Sequence, residues 1–212
     1  MQNVKKTEII ILLISSITMI AIGIIFFDGI NLIDISILKF IRGNITYDIL
    51  KDIMYIISMI LTPIPMVIIF LTFSFVIKEK MVPLFIASNA ALSVIVNFIL
   101  KNIFRRQRPI DYMLIDVTGY SFPSAHAMVS AAFYGALIYC NNRYIKSKKV
   151  KIMFNMLLWS LLVLTPISRV YLGVHNFTDV FVGSILGILI IKISIYVFEK
   201  IELFKKNKEE AI

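Results

Sequence analysis

The chain has 212 residues, 59% of them hydrophobic and 17% charged, with a mean hydropathy of +0.88; an ordinary soluble domain is roughly half apolar and a quarter charged. Its formal net charge is +9, but most Lys and Arg residues sit in loops beside apolar runs, so they read as a topology signal and nucleic acid is not expected as a partner. A single cysteine, Cys140, excludes an internal disulfide and any multi-cysteine metal centre.

No repeat, low-complexity tract or linker interrupts the sequence. Residues 1–212 are therefore expected to form one all-α integral membrane domain. A spanning helix needs roughly 20 mainly apolar residues, and six stretches qualify: 9–27, 53–77, 82–100, 124–140, 152–167 and 177–198. The first follows Lys5 and Lys6. It is longer than a signal-peptide core and ends without a small-x-small cleavage site, so it reads as an uncleaved membrane helix. Pro63 and Pro65 are expected to kink the second span. Pro83 falls in the first turn of the third, where a missing N–H costs little. Pro166 is expected to break the short fifth span early. Between the first two spans Asn31, Asp34, Lys39 and Arg42 share one helical face, with Ile33, Ile37, Phe40 and Ile41 mainly elsewhere. That pattern suits a helix lying in the membrane interface or, equally, an exposed loop helix.

Loop charges set the orientation. Lys5 and Lys6, Lys78 and Lys80, the run Arg143 to Lys151, and Lys200 to Lys208 all fall on one side of a six-span chain. Positive residues mark the cytoplasmic side, so both termini are expected there. Segments 28–52, 101–122 and 168–176 then lie outside, in a multi-pass cell-membrane protein.

Three outer clusters carry chemical potential. The first, at the end of the third span, holds Lys101, Arg105, Arg106 and Arg108 within eight residues. Such cations either meet an anion or snorkel to headgroups. The second runs from Ser121 to His126 at a helix start, where free N–H groups and the helix dipole make an anion site; Ser124 could equally be a simple cap. The third contains Ser168, Arg169, His175 and Asp179. His175 and Asp179 are four apart and are expected to share a helical face. A carboxylate on one ring nitrogen fixes the tautomer and frees the other to attack, although a structural His–Asp pair is commoner for any one such spacing. The chain has only two histidines, and both fall in these clusters. Ligands are too few for a zinc site, so no metal or cofactor is expected. Cations, hydroxyls and backbone donors around two histidines suit a phosphoryl group: donors for its oxygens, one nucleophile and one acid. The rival reading is a transporter or non-catalytic lipid-binding protein. Against it, the charges lie near one surface rather than at the midplane, and no inverted repeat is evident.

At these residues the chain resembles the type 2 phosphatidic acid phosphatase family, whose signature has three parts: K-x6-RP, PSGH and SR-x5-H-x3-D. Lys101, Arg108 and Pro109 match the first; Pro123, Ser124 and His126 match most of the second; Ser168, Arg169, His175 and Asp179 match the third. The resemblance covers roughly residues 50–200 and implies a six-helix membrane architecture. It implies that His175 attacks phosphorus and carries the phosphoryl group, oriented by Asp179. His126 would protonate the leaving oxygen and then activate water. Lys101, Arg108, Ser124, Ala125 and Arg169 would hold the phosphate, with no metal or cofactor. Ala125 departs from the family's glycine, a position that gives a backbone N–H to phosphate; alanine keeps that donor where φ is negative. The implied substrate is a lipid phosphate or diphosphate: undecaprenyl diphosphate, phosphatidylglycerol phosphate or a phosphatidate-type lipid.

Overall fold

Apolar runs that cannot satisfy their backbone in lipid must satisfy it internally, and the chain does so as helices. The structure is a computed structural model that describes residues 32–210 together with Thr7, Ile10, Leu13, Ile14 and Ile17, with side chains as far as Phe204. The expected span 9–27 falls outside the described residues except at four isolated positions. In chain order the helices are α1 (Leu32–Asn44), α2 (Asp48–Met59), α3 (Pro63–Val76), α4 (Met81–Phe104), α5 (Ala125–Tyr144), α6 (Lys148–Tyr171) and α7 (Phe177–Glu210), with a 3-10 turn at Ile110–Tyr112. Among the described residues there is no strand.

Three of these helices are long and apolar enough to cross a bilayer: Met81–Phe104, Lys148–Tyr171 and Phe177–Phe204. The expected kink in the second span is a break. Pro63 opens α3, where its missing N–H is harmless, and α2 and α3 are bent by 56°. Counted as one span, the pair makes a fourth crossing. Exposed Ile64, Val67, Ile68, Leu71 and Phe75 on α3, and Met153, Met156 and Trp159 on α6, give these helices an apolar outer face suited to lipid. Two expected helix ends are corrected. α6 runs through Pro166 to Tyr171. Proline forfeits one backbone bond, but neighbouring helical bonds have no water to replace them in an apolar medium, so the helix continues. The last helix likewise continues past residue 198 to Glu210.

The fourth expected span, α5, fails the test of apolar length yet forms the centre of the bundle. It packs against α4, α6 and α7. Its apolar character is low because it meets protein rather than lipid and is built of small residues. Ala127 and Ala131 face Gly183 and Gly187 of α7. A Cβ on Gly187 would stand 2.3 Å from the Met128 carbonyl oxygen and 2.7 Å from the Ala131 Cβ; one on Gly183 would stand 2.7 Å from the Ser124 carbonyl oxygen. This is small-xxx-small packing, which lets two helix backbones approach closely. Alternating direction then brings the end of α4, the start of α5, the end of α6 and the start of α7 together at one end of the bundle.

α1 decides between the two sequence readings of its segment. Two of its polar residues turn inward, Asp34 fully buried and Arg42 half-buried, while Lys39 is exposed with Leu32, Ile33 and Phe40, and Asn31 lies outside the described residues. It is not an ordinary exposed loop helix.

Candidate active site

The site begins where α4 stops. Arg105 adopts a left-handed conformation, φ 48°, and its N–H donates to the Lys101 carbonyl at 2.9 Å. Non-glycine residues seldom do this, and the turn sends the following segment back over the bundle end. Arg105 stays exposed, while Arg106 and Arg108 are half-buried. Lys101 donates its ammonium to the Tyr120 carbonyl. Arg108 donates from Nε to the Gly119 carbonyl at 2.9 Å and from Nη1 to the Val174 carbonyl at 2.6 Å. Arg169, buried in the last turn of α6, donates to the Ser58 hydroxyl of α2. Its Nε finds no acceptor among the described residues.

Among the described residues, none of Lys101, Arg108 and Arg169 is ion-paired. The nearby carboxylates belong to Arg106, which reaches Asp179 Oδ1 at 2.6 Å and Asp34 Oδ2 at 2.9 Å. The electrostatic consequence differs between the two arginines. Burial works against charge on Arg106, but Asp179 and Asp34 outweigh it and hold its guanidinium above the usual range. Burial lowers Arg108, and Asp179 offsets this only in part.

The second motif forms the N-terminus of α5. Ser124 is the cap, and its hydroxyl accepts weakly from Ala127 N–H at 3.5 Å. Capping and a place at the site are thus combined in one residue. The Ser124 N–H donates to the Asp179 carbonyl at 3.0 Å, and Asn97 of α4 donates to the Pro123 carbonyl at 3.0 Å. These bonds pin the α5 start to both neighbours. Ala125 opens the helix. Among described non-glycine residues only Arg105 has positive φ, so alanine is unstrained there. His126, in the first turn, is half-buried, and Lys101, Arg108, Arg169 and His175 all lie close enough to act on it electrostatically.

The third motif is a helix end followed by a helix start. Gly173 takes φ 70°, its N–H donates to the Val170 carbonyl at 3.0 Å, and Val174 N–H donates to the Arg169 carbonyl at 3.2 Å. This is the two-bond Schellman stop for α6. A Cβ at Gly173 would stand 1.8 Å from the Tyr112 carbonyl oxygen, so the position needs glycine for space as well as conformation. His175 consequently lies in the turn before α7 and not on a helical face shared with Asp179, which corrects the sequence expectation. Asp179 instead sits in the first turn of α7 and accepts from Asn176 N–H at 2.9 Å through Oδ2, the backward bond of a capping box. The same Oδ2 lies 3.6 Å from His175 Nδ1, just beyond hydrogen-bond length, so this buried ring nitrogen has no hydrogen-bond partner. The other ring nitrogen, Nε2, is 3.3 Å from Arg108 Nη1. His175 is fully buried, and burial pushes its imidazole down to about 4, with Asp179 partly countering and Arg108 and Arg169 adding to the fall.

All eight residues singled out in the sequence are therefore at this end of the bundle. Sequence reasoning missed two residues that support them, one directly and one through Arg106. Asp34 holds Arg106 and Thr178, and Ser58 holds Arg169. Asp34 had a signal, a carboxylate on the polar face of α1; Ser58, inside an apolar run, had none. Beside His126 lies an apolar cavity of about 200 Å³, lined by Leu61, Pro63, Met66, Val94, Ala125 and Val129.

Known proteins resemble this chain in sequence and in fold. Residues 83–202 match the family model of the PAP2 superfamily. The chain is 36% identical over 114 residues to phosphatidylglycerophosphatase B of Bacillus subtilis, covering 53% of this chain and 56% of that protein. It is 31% identical over 166 residues to lipid A 4'-phosphatase of Porphyromonas gingivalis, covering 70% and 66%, and 30% identical over 117 residues to lipid phosphate phosphatase gamma of Arabidopsis thaliana, covering 53% and 52%. The chain thus spans about half to two thirds of the length of these curated relatives. The crystal structure of a transmembrane PAP2 type phosphatidylglycerolphosphate phosphatase from Bacillus subtilis superposes with a TM-score of 0.73 at 27% identity, over 88% of this chain and 96% of that one. With more than half of its length matched by the family model, the chain belongs to the PAP2 superfamily.

Proposed function

We propose that this protein is a single-domain membrane lipid phosphatase. In this reading it crosses the membrane six times, with both termini cytoplasmic and the site on the opposite face. It removes phosphate from a lipid phosphate or diphosphate through a phosphohistidine on His175. One observation carries the reading: three cations, Lys101, Arg108 and Arg169, gather at the two histidines, and among the described residues none of the three is paired with a carboxylate. Uncompensated charge of this kind is held ready for an anion. Fixed donors aimed at developing charge act most strongly in a dry site.

The geometry supports a role for each residue. Asp179 faces Nδ1 of His175, which favours the tautomer whose Nε2 lone pair faces Arg108 Nη1 at 3.3 Å, a weak contact that an incoming phosphoryl group would replace. Burial keeps the ring neutral, so it needs no deprotonation before attack. Lys101, Arg108 and Arg169, with the free N–H groups behind Ser124 and Ala125, would bind the phosphoryl oxygens. His126 would supply the proton to the leaving oxygen and afterwards take one from water. The apolar cavity beside His126 is where the leaving half of a lipid would lie. The cationic surroundings favour an anion over a metal ion, so the proposed chemistry uses side chains alone.

Relatives named for phosphatidylglycerophosphate, lipid A and lipid phosphates support the substrate class without choosing within it. The test is phosphate release by the purified full chain in detergent. The panel would include phosphatidylglycerol phosphate, phosphatidate and undecaprenyl diphosphate, each with and without chelator. Release from at least one lipid that survives EDTA is expected; no release from any of them would refute the proposal.

A further inference from the structure

Among the described residues, Arg106 is the one cation of the cluster paired with carboxylates, and the way it is paired points away from substrate. Its Nη1 donates to Asp179 Oδ1 at 2.6 Å and to Thr178 Oγ1 at 2.7 Å; its Nη2 donates to Asp34 Oδ2 at 2.9 Å. Asp34 also accepts from Thr178 N–H at 3.0 Å and from the Thr178 hydroxyl at 2.7 Å. Both carboxylates are fully buried. Asp34 therefore caps α7 and shares Arg106 with the very carboxylate that faces His175. Asp34 also lies outside the segment 83–202 matched by the family model.

We infer that Asp34 and Arg106 are positioning residues for the His175–Asp179 pair, joined in a row Asp34–Arg106–Asp179–His175 that sets both the aim and the charge of the histidine. Two fixed contacts, Arg106 on Oδ1 and Asn176 N–H on Oδ2, leave the Asp179 carboxylate no freedom to turn from His175. Arg106 alone would cancel the negative charge that His175 needs when it carries a phosphoryl group. Asp34 takes up part of the Arg106 charge and so leaves Asp179 effective. Arginine suits this place because its planar fork reaches two carboxylates at once, which an ammonium cannot do in fixed geometry. On the opposite end of α1, Arg42 donates to the Tyr112 and Tyr171 carbonyls. The helix that delivers Asp34 is thereby fixed to the Gly173 turn as well.

The inference rests on the phosphatase reading for its kinetic half only. Its other half is a charge relation measurable without substrate. His175 is faced by Asp179 from α7, Arg108 from the loop after α4, Arg169 from α6 and His126 from α5; none of these is altered in the two titrated variants, and His126→Ala serves only to assign the signals. Asp34→Asn removes a negative charge from the row, lets Arg106 weigh fully on Asp179, and should lower the titration midpoint of His175. Arg106→Gln removes a positive charge and should raise it. With two histidines in the chain, imidazole ¹⁵N shifts of the full-length protein in detergent, assigned with His126→Ala, read the midpoint directly. Opposite movements are expected, together with kcat losses of about 10–100-fold, as for the outer partners of carboxylate-held histidines, and a KM within a few-fold of wild type. Midpoints that do not move, or that move the same way, would reduce both residues to structural supports and overturn the inference. If Asp34→Asn does not fold, Arg106→Lys tests the fork: activity restored to wild type by lysine would contradict it. Wild type that releases phosphate from no lipid would sink the phosphatase reading but leave the titration arm standing.

Discussion

Arg108 and Arg143 sit at opposite ends of the same bundle, and their surroundings differ in kind. Arg143 is paired with Glu202 and bonded to the Tyr139 hydroxyl at 2.7 Å. Its guanidinium lies 5.5 Å from the Tyr144 ring centroid, 5.8 Å from that of Tyr139 and 5.9 Å from that of Phe198. Every attraction available to a cation is already satisfied there. Among the described residues, Arg108 hydrogen-bonds only to carbonyl oxygens and an imidazole. A closed charge glues helices together; an open one waits for a ligand. The distinction matters more than the number of cations, because both ends of this molecule are basic.

Substitution should separate the two ends. Arg108→Ala and Arg169→Ala each remove a donor that would tighten on the transition state, and each is expected to lower kcat about 10²–10³-fold. Arg143→Ala should leave kcat unchanged and show only as a lower unfolding temperature. Steady-state rates on a shared lipid phosphate decide this; an equal kcat loss at Arg143 would erase the comparison. Next in size is the seam that joins the two ends. Gly187→Val puts side-chain atoms where a Cβ alone would stand 2.3 Å from the Met128 carbonyl oxygen. Overpacking of this kind costs about 1–3 kcal/mol and should lower thermal stability in detergent. Unchanged stability would mean that the α5–α7 backbones are not held as close as described. The smallest effect is expected at Ala125→Gly. Alanine is unstrained at the α5 start, so restoring the family's glycine should alter stability by less than about 1 kcal/mol and leave turnover close to wild type. A large gain in activity would show that Ala125 obstructs the site.

Part of this was legible in the sequence because it depends on local spacing. Lys101 and Arg108, Ser124 and His126, and Arg169, His175 and Asp179 are each set by short motifs, and all reach one end of the bundle. Hydropathy located the helices, α5 (124–140) among them, but not that α5 is the one enclosed by the others, where small side chains matter more than apolar ones. His175 was placed on a helix because its spacing from Asp179 fits one; Gly173, two residues earlier, carried the contrary signal of a helix stop. The supports of the site were hidden for a different reason. Asp34 meets Arg106 across 72 residues, and Ser58 meets Arg169 across 111. No periodicity links such pairs; they exist only once the helices have packed.

On the proposed mechanism His175, fully buried beside open cations, takes the phosphoryl group on Nε2. Alkaline quenching of the purified protein during turnover of a ³²P-labelled lipid phosphate, followed by peptide mapping, tests it most directly. Acid-labile label on His175 is expected, accumulating further in His126→Ala, where the base for the second step is gone, and absent from His175→Ala. Label that maps to His126, or that persists in His175→Ala, would contradict the account.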